Sequence, residues 1–254
     1  MSRALSADAE GYRLVRTIWL ALIGLVLAAP AEAQSVGSPR LSANDTWTYQ
    51  NTVENNAGWR QTRIETTVLR AGSGSIAVSI KPSGSTMPPT EQLVGPDWSR
   101  VRSVNGRDTV VNRPLSFPLS IGKTWEIQYA EDHPNRQHST EHFRTPYKVA
   151  GWEDVTVPAG TFHAMKIEAD GQWSAALAPA VSAVSGARVD AQGTTSVIQT
   201  SKTTPATVSG RTYKAFWYVP AVKRWVRSVE EYYDTNGVRH ERFTDELESY
   251  KVSD

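Results

Sequence analysis

The residues of this sequence whose types and spacing come nearest to a catalytic pattern are His138, Glu141 and His142. They match a His-x-x-Glu-His arrangement, in which two histidines on one face of a helix bind zinc and the glutamate activates a water molecule. With that chemistry the protein would be a metal-dependent hydrolase. The arrangement needs a helix, so the surrounding sequence decides whether it applies.

The surrounding sequence predicts a turn and a strand at this place. Pro134 and Asn135 precede the pattern, and polar and apolar residues alternate after it. In a strand, His138, Thr140 and His142 share one face with the two imidazoles roughly 13 Å apart, too far for one ion held at about 2.1 Å per bond. The simpler interpretation is a polar strand face, and the hydrolase stays a remote alternative. No motif predicts a cofactor.

A second candidate site is aromatic and lies near the C-terminal end of the chain. Aromatic side chains fill the cores of β-proteins and also line their ligand sites. These residues could form a concave apolar site for an acyl chain, a sugar or a peptide strand, or they could simply pack in the core. The candidate ligand-binding residues are Trp217, Tyr218, Trp225, Tyr232 and Tyr233.

The elements that must position these residues are strands. A two-residue alternation of apolar and polar residues recurs almost throughout the chain, with Gly, Asn or Pro between the alternating runs. The pattern predicts an all-β or mainly β protein with at most one or two short helices.

Asn236 and Gly237 form the strongest hairpin signal in the chain, since Asn-Gly favours a two-residue turn. A hairpin with this turn has a fixed register. That register places three pairs of opposite charge across the two strands: Asp234 with Arg239, Glu231 with Arg242, and Arg227 with Glu246.

Two more hairpins are predicted. Asn105 and Gly106 join two short strands and place Val101 opposite Val110. Residues 151–168 form a hairpin around a Pro-Ala-Gly turn, in which Gly160 tolerates the positive φ that closes the turn.

Two segments do not follow the strand pattern. Residues 174–210 are rich in Ala, Ser, Thr, Gly and Val, and we expect a low-complexity insert there, part of which could form a weak helix over residues 175–189. Residues 82–96 contain a Pro-Pro pair, which predicts a long loop.

The N-terminal residues predict a secretory signal peptide over residues 1–33. Arginines precede an uncharged apolar run at 17–29, and Ala31-Glu32-Ala33 is a small-x-small cleavage pattern. The run of roughly 13 residues spans about 20 Å, which is too short for a membrane anchor. We therefore expect cleavage near Ala33, a periplasmic or secreted location, no transmembrane span afterwards, and one β-rich domain over residues 34–254.

Composition narrows the function classes further. The chain has no cysteine, so it has no disulfide, and we expect no lipid anchor on a cysteine. Its 27 Lys and Arg nearly balance its 26 Asp and Glu. That balance provides no basic surface for nucleic acid.

Several short motifs together resemble a bacterial family of periplasmic and secreted domain-of-unknown-function proteins with a lipoprotein-like β half-barrel. The resemblance covers about residues 41–252 and implies a curved antiparallel sheet of about ten strands, with a concave face open to a ligand. It implies no catalytic residue. The motifs are Asn-Asp-Thr-Trp-Thr-Tyr at 44–49, Ile-Gly-Lys-Thr-Trp at 121–125, Val-Pro-Ala-Gly-Thr-Phe at 157–162, Phe-Trp-Tyr-Val-Pro at 216–220 and Arg-Trp-Val-Arg at 224–227.

Three functional hypotheses follow from the sequence. The first is a non-catalytic protein that holds an apolar ligand or an envelope partner on its curved sheet. The second is a structural or assembly protein that docks through a strand edge or through the insert at 174–210. The third is the metal-dependent hydrolase that uses His138, Glu141 and His142.

Overall fold

The structure is a computed structural model that describes residues 35–178, 182–189, 195–202 and 206–254. These residues form fourteen strands and one short 3-10 helix. The predicted signal peptide lies outside these residues. The strands are β1 Thr46–Asn55, β2 Gly58–Ala71, β3 Ile76–Pro82, β4 Thr90–Val94, β5 Arg100–Val104, β6 Arg107–Asn112, β7 Thr124–Asp132, β8 His138–Val157, β9 Gly160–Leu177, β10 Ser182–Val189, β11 Thr195–Lys202, β12 Thr207–Val219, β13 Arg224–Tyr233 and β14 Arg239–Lys251, with the 3-10 helix at Pro220–Val222.

Twelve of the strands form one antiparallel sheet in the order β6-β5-β4-β3-β2-β1-β14-β13-β12-β9-β8-β7. The all-β prediction is confirmed, but the predicted half-barrel of about ten strands is wrong. The sheet has twelve strands and curls into a nearly closed barrel. The difference arises in part because β4 lies in a segment that was predicted to be a loop.

The seam of the barrel lies between β7 and the β5–β6 hairpin, and side chains span it. Asn105 at the hairpin turn donates to the Ala130 carbonyl at 3.2 Å and accepts from the Asp132 amide at 2.8 Å. Arg102 of β5 forms an ion pair with Glu131 of β7. These contacts join the β5–β6 hairpin to β7, and in the described residues no backbone ladder pairs the two, so side chains bring the barrel near to closure.

The predicted hairpins are confirmed, with one local change of register. Val101 lies opposite Val110. In the last hairpin, Arg227 lies opposite Glu246 and Glu231 opposite Arg242, but a register shift near the turn places Arg239 opposite Tyr233 and not Asp234. The Pro-Ala-Gly turn joins β8 to β9 as predicted, with Val157 paired to Gly160.

The two segments that lacked a strand pattern also contain strands. Within the predicted loop at 82–96, β4 pairs with β3. The weak helix predicted over 175–189 is wrong, since β9 continues to Leu177 and β10 follows. Strands β10 and β11 pair with each other as a separate two-stranded sheet. Small residues hide the apolar alternation there, so the strand signal was weak.

The core is richest in aromatic residues where β1, β12 and β13 meet the turn before β5. Trp47, Tyr49, Trp98, Phe216 and Trp225 are all at least nine-tenths buried. Trp98 packs edge-on against Trp47 and Trp225, with ring centres 5.3 and 5.9 Å apart. This cluster forms one wall of the cavity described next.

Candidate functional site

Two neighbouring cavities lie inside the barrel. The inner cavity has a volume of about 200 Å³ and the outer cavity about 300 Å³, and both are lined by Gln92 of β4 and Arg100 of β5. Arg100 and Arg102, which line the outer cavity, are solvent exposed, so the outer cavity opens to solvent. The inner cavity lies next to it and shares the lining residues Gln92 and Arg100 with it.

The lining of the inner cavity mixes apolar and polar side chains. Its uncharged polar residues include Thr66, Asn112 and Ser228, and Thr66 pairs with Ile80 and Ser228 with Phe216 across neighbouring strands. Such a mixed lining fits a small molecule with both apolar and polar parts better than a purely apolar chain. The apolar lining residues are Val78, Ile80, Val94, Trp98, Phe216 and Trp225.

Arg224 is the central charged residue of the inner cavity. Its guanidinium carbon lies 4.4 Å from the centre of the Trp98 ring, 4.7 Å from that of Trp225, 5.0 Å from that of Tyr49 and 5.6 Å from that of Trp47. A guanidinium at these distances is attracted to the ring faces. Burial lowers the pKa of Arg224 below its ordinary value, although the charge still has Tyr49 and Asp245 as neighbours.

Three hydrogen-bond donors at this cavity have no acceptor. They are Nε and Nη1 of Arg224 and the indole Nε1 of Trp225, each buried and without a hydrogen-bond partner among the described residues. Trp225 is only 9% exposed. Buried donors without acceptors cost free energy, so a native structure ordinarily satisfies them.

The carboxylates of the inner cavity are held by other groups. Asp245 accepts from Asn51 Nδ2 at 2.7 Å and from Ser228 Oγ at 3.2 Å. Burial raises the pKa of Asp245, and these hydrogen bonds and the charge of Arg224 oppose that rise. Glu230 forms a 2.9 Å ion pair with Lys214. Burial alone would raise the pKa of Glu230, but Lys214 outweighs it and the pKa is lowered.

Removing the paired charges leaves the cavities with an excess of positive charge. Lys214 is paired with Glu230, and Arg102 is paired with Glu131. Arg100 and Arg224 take part in no ion pair within the described ranges, and two carboxylates, Glu230 and Asp245, line the inner cavity with them. The excess lies at the outer cavity, whose described lining has basic residues and no carboxylate, so that cavity favours a ligand that carries negative charge.

The five aromatic candidates from the sequence do not form one site. Trp225 lines the inner cavity and Tyr232 the outer one, whereas Tyr218 is 1% exposed and packs in the core. Trp217 and Tyr233 follow inward-facing residues on their strands, so they point to the opposite face of the sheet. There Trp217 donates to Glu153 at 2.5 Å and Tyr233 donates to Glu231 at 2.6 Å.

The structure does not bring His138, Glu141 and His142 together as metal ligands. A bulge between His138 and Thr140 interrupts the alternation of β8, so the expectation that His138 and His142 share a face is wrong. His138 Nδ1 instead lies 2.5 Å from Glu141 Oε1, and His142, the next residue, points to the other face. Among the residues the structure describes, no three His, Asp or Glu side chains are placed to hold a metal ion.

Arg224, Asp245 and Arg100 were missed from the sequence. Their partners at the cavity come from β1, β4, β12 and β14, which are distant in the chain, so no spacing reveals them. The available signal was local: Arg224 begins a strand that is otherwise apolar at its start, next to Trp225 and Val226.

Comparison with known proteins adds a likeness of fold. No protein-family model matches the chain, and no curated protein matches it. Two solved structures are similar. One is described as a "putative lipoprotein" from Parabacteroides distasonis, with 15% identity and a TM-score of 0.43, covering 86% of this chain and 100% of that one. The other is described as a "putative exported protein with YmcC-like fold" from Bacteroides fragilis, with 14% identity and a TM-score of 0.37, and the same coverage.

In the described part of the chain, no helix is long and apolar enough to cross a membrane.

Proposed function

We propose that this protein is a periplasmic or secreted, non-catalytic binding protein that holds a small amphiphilic molecule inside its barrel. The observation that supports this most is the pair of neighbouring cavities, about 200 and 300 Å³ in volume, whose linings share Gln92 and Arg100. The outer cavity reaches the lower end of the size range of small-molecule sites, and the inner one adds to it. The predicted signal peptide supports the location.

The lining of the cavities refines the apolar ligand expected from the sequence. Rings and aliphatic side chains lie beside hydroxyl, amide and charged groups in the lining. An apolar chain alone would leave the polar groups without partners, which is costly. An amphiphile offers partners to both kinds of group.

A substitution that fills the cavities tests this function. Gln92 lines both cavities, and its neighbour Glu91 is exposed and points to the other face of β4. We expect protein purified from the periplasm to release a small molecule on denaturation. In Gln92→Trp the amount falls at least tenfold, and in Glu91→Trp it stays at the wild-type level.

Mass spectrometry under native and then denaturing conditions measures this release. Wild-type protein that releases no small molecule, or equal release from the two tryptophan variants, contradicts a ligand in the barrel.

A second candidate function is assembly with an envelope partner through the β10–β11 hairpin. The observation that favours it is that β10 and β11 pair with each other and, in the described ranges, with no strand of the large sheet. An isolated two-stranded hairpin is marginally stable in water, and an added strand from a partner stabilises it. Deleting residues 182–202 should abolish crosslinks to the partner in cells, and crosslinks that persist contradict this function.

A further inference from the structure

Unsatisfied donors belong to two residues that line the inner cavity, and they indicate what its ligand offers in return. Arg224 contributes two of them and Trp225 the third, and both residues line the cavity. All three groups can only donate, so an acceptor is required at this place. Hydrogen bonds from a guanidinium to an anionic oxygen are among the strongest that proteins form.

The aromatic side chains around Arg224 explain why no group of the protein itself accepts these hydrogen bonds. Trp47, Tyr49, Trp98 and Trp225 surround the guanidinium of Arg224 and offer ring faces, which attract the charge but accept no N–H bond of ordinary strength. The neighbouring carboxylate, Asp245, accepts hydrogen bonds from Asn51 and Ser228, and its charge attracts Arg224 without a direct ion pair between the two side chains. The rings thus hold Arg224 in place and leave its N–H groups free.

From these observations we infer that Arg224 and Trp225 form an anion-recognition site for a carboxylate or phosphate group on the bound amphiphile. The anionic oxygens accept from Arg224 and from the indole of Trp225, and the apolar part of the ligand packs along Val78, Ile80 and Phe216. Arg100, which lines both cavities, adds positive charge beside this site. The inference rests on the proposed function and specifies the chemical class of its ligand.

Three probes that share a hydrocarbon chain of similar length but differ in head group test the inference: octanoate, octyl phosphate and octanol. Titration calorimetry at pH 7.5 on protein freed of bound ligand measures each affinity. We expect at least one of the two anions to bind at least tenfold more tightly than octanol, since a hydrogen bond to a charged group contributes about that much. Which anion binds more tightly distinguishes a carboxylate ligand from a phosphate ligand.

Two variants assign the preference to this site. In Arg224→Gln the affinity for the preferred anion should fall to that of octanol, and octanol binding should stay within twofold of wild type. Trp225→Phe keeps an aromatic ring and removes one donor, so anion affinity should fall severalfold even if Arg224→Gln does not fold. Arg211→Gln is the matched control, because Arg211 is exposed and pairs with Asp170 away from the cavities.

The outcomes separate this inference from the proposed function. If octanol binds as tightly as both anions, or if neither cavity variant weakens anion binding, the anion site is refuted while the binding function stands. If none of the three probes binds, both the anion site and the amphiphile-binding function are refuted.

Discussion

The guanidinium carbon of Arg224 lies 4.4 Å above the Trp98 ring, and Trp98 also donates from its indole to the Lys223 carbonyl at 3.2 Å. One tryptophan from the turn before β5 thus contacts two consecutive residues at the start of β13. The contact joins segments 125 residues apart in the chain. The contact packs the Trp98 ring, which lines the inner cavity, against the charged guanidinium of Arg224.

Trp98→Ala should destabilise the protein strongly. The ring is 3% exposed and packs against Trp47 and Trp225, so its removal leaves a cavity and costs about 3–5 kcal/mol. Trp59→Ala is the matched control, since Trp59 is 71% exposed. We expect that change to alter stability by no more than about 0.5 kcal/mol. Urea unfolding followed by circular dichroism measures both, and equal losses would show that Trp98 is not part of the core.

Asn105→Gly should loosen the seam of the barrel. Glycine keeps the positive φ of 51° that this turn position needs, but it lacks the side chain that accepts from the Asp132 amide. Losing one hydrogen bond costs about 0.5–1.5 kcal/mol, so the Asp132 amide should exchange with solvent roughly 2- to 10-fold faster.

The same substitution in the other Asn-Gly turn, Asn236→Gly, serves as the control for the seam. It should leave Asp132 exchange unchanged, since that turn lies between β13 and β14. Hydrogen exchange followed by NMR reports the Asp132 amide directly. If the Asp132 amide exchanges as slowly in Asn105→Gly as in the wild type, the seam does not depend on this side chain.

Asp45 should make stability depend on pH below neutrality. Asp45 is 2% exposed and accepts from Ser253 N and Oγ, both at 2.8 Å, and from Ser42 N at 2.9 Å. Burial alone would raise its pKa, but these hydrogen bonds and Lys223 lower it below the ordinary value of 3.8. A lowered folded-state pKa contributes stability above the unfolded-state pKa, and that contribution is lost as pH falls through the folded-state pKa.

Asp45→Asn should therefore cost about 1.5–3 kcal/mol at pH 7, and the cost should shrink as pH falls below about 4. Denaturant unfolding of wild type and variant at several pH values measures the difference. The exposed Asp108→Asn is the control and should follow the wild-type curve. A cost that stays constant from pH 7 to pH 3 contradicts the role given to the Asp45 charge.

Gly210→Ala should destabilise the junction of β9, β12 and β13. A Cβ at this position would lie 2.2 Å from the Tyr233 carbonyl oxygen and 2.5 Å from Trp173 Nε1. The backbone must shift to admit it, which costs about 1–3 kcal/mol. Gly74→Ala is the control, because nothing lies within 4 Å of its Cβ position. Thermal unfolding compares the two, and an equally small effect of both changes would contradict the close approach at Gly210.

The strands and hairpins could be predicted because their signals are local. Apolar alternation marks strands such as β1 and β13, and the two Asn-Gly turns set their hairpins within one residue of the observed register. The prediction failed where local signals are weak. Strand β4 lies in a Pro-rich segment, and β10 and β11 consist mostly of small residues.

The candidate site was harder to predict because adjacent residues on a strand face opposite sides of the sheet. Trp217 and Tyr218 are neighbours in sequence, yet one contacts Glu153 and the other packs in the core. A bulge in β12–β13 pairing at these residues also shifts which side chains face inward. Aromatic clustering in sequence therefore did not indicate clustering in space.

The sequence by itself determined the all-β class, the absence of disulfides, the main hairpins and the expectation of export, because each depends on composition or on residues close in the chain. Only the tertiary structure decided that the sheet nearly closes and that Arg224 lies among rings from β1, β13 and the turn before β5. Closure depends on side chains that span a seam between distant strands. The charge of the inner cavity depends on which of those strands lie opposite one another. Neither the closure nor this charge can be predicted from residues that are close together in the sequence.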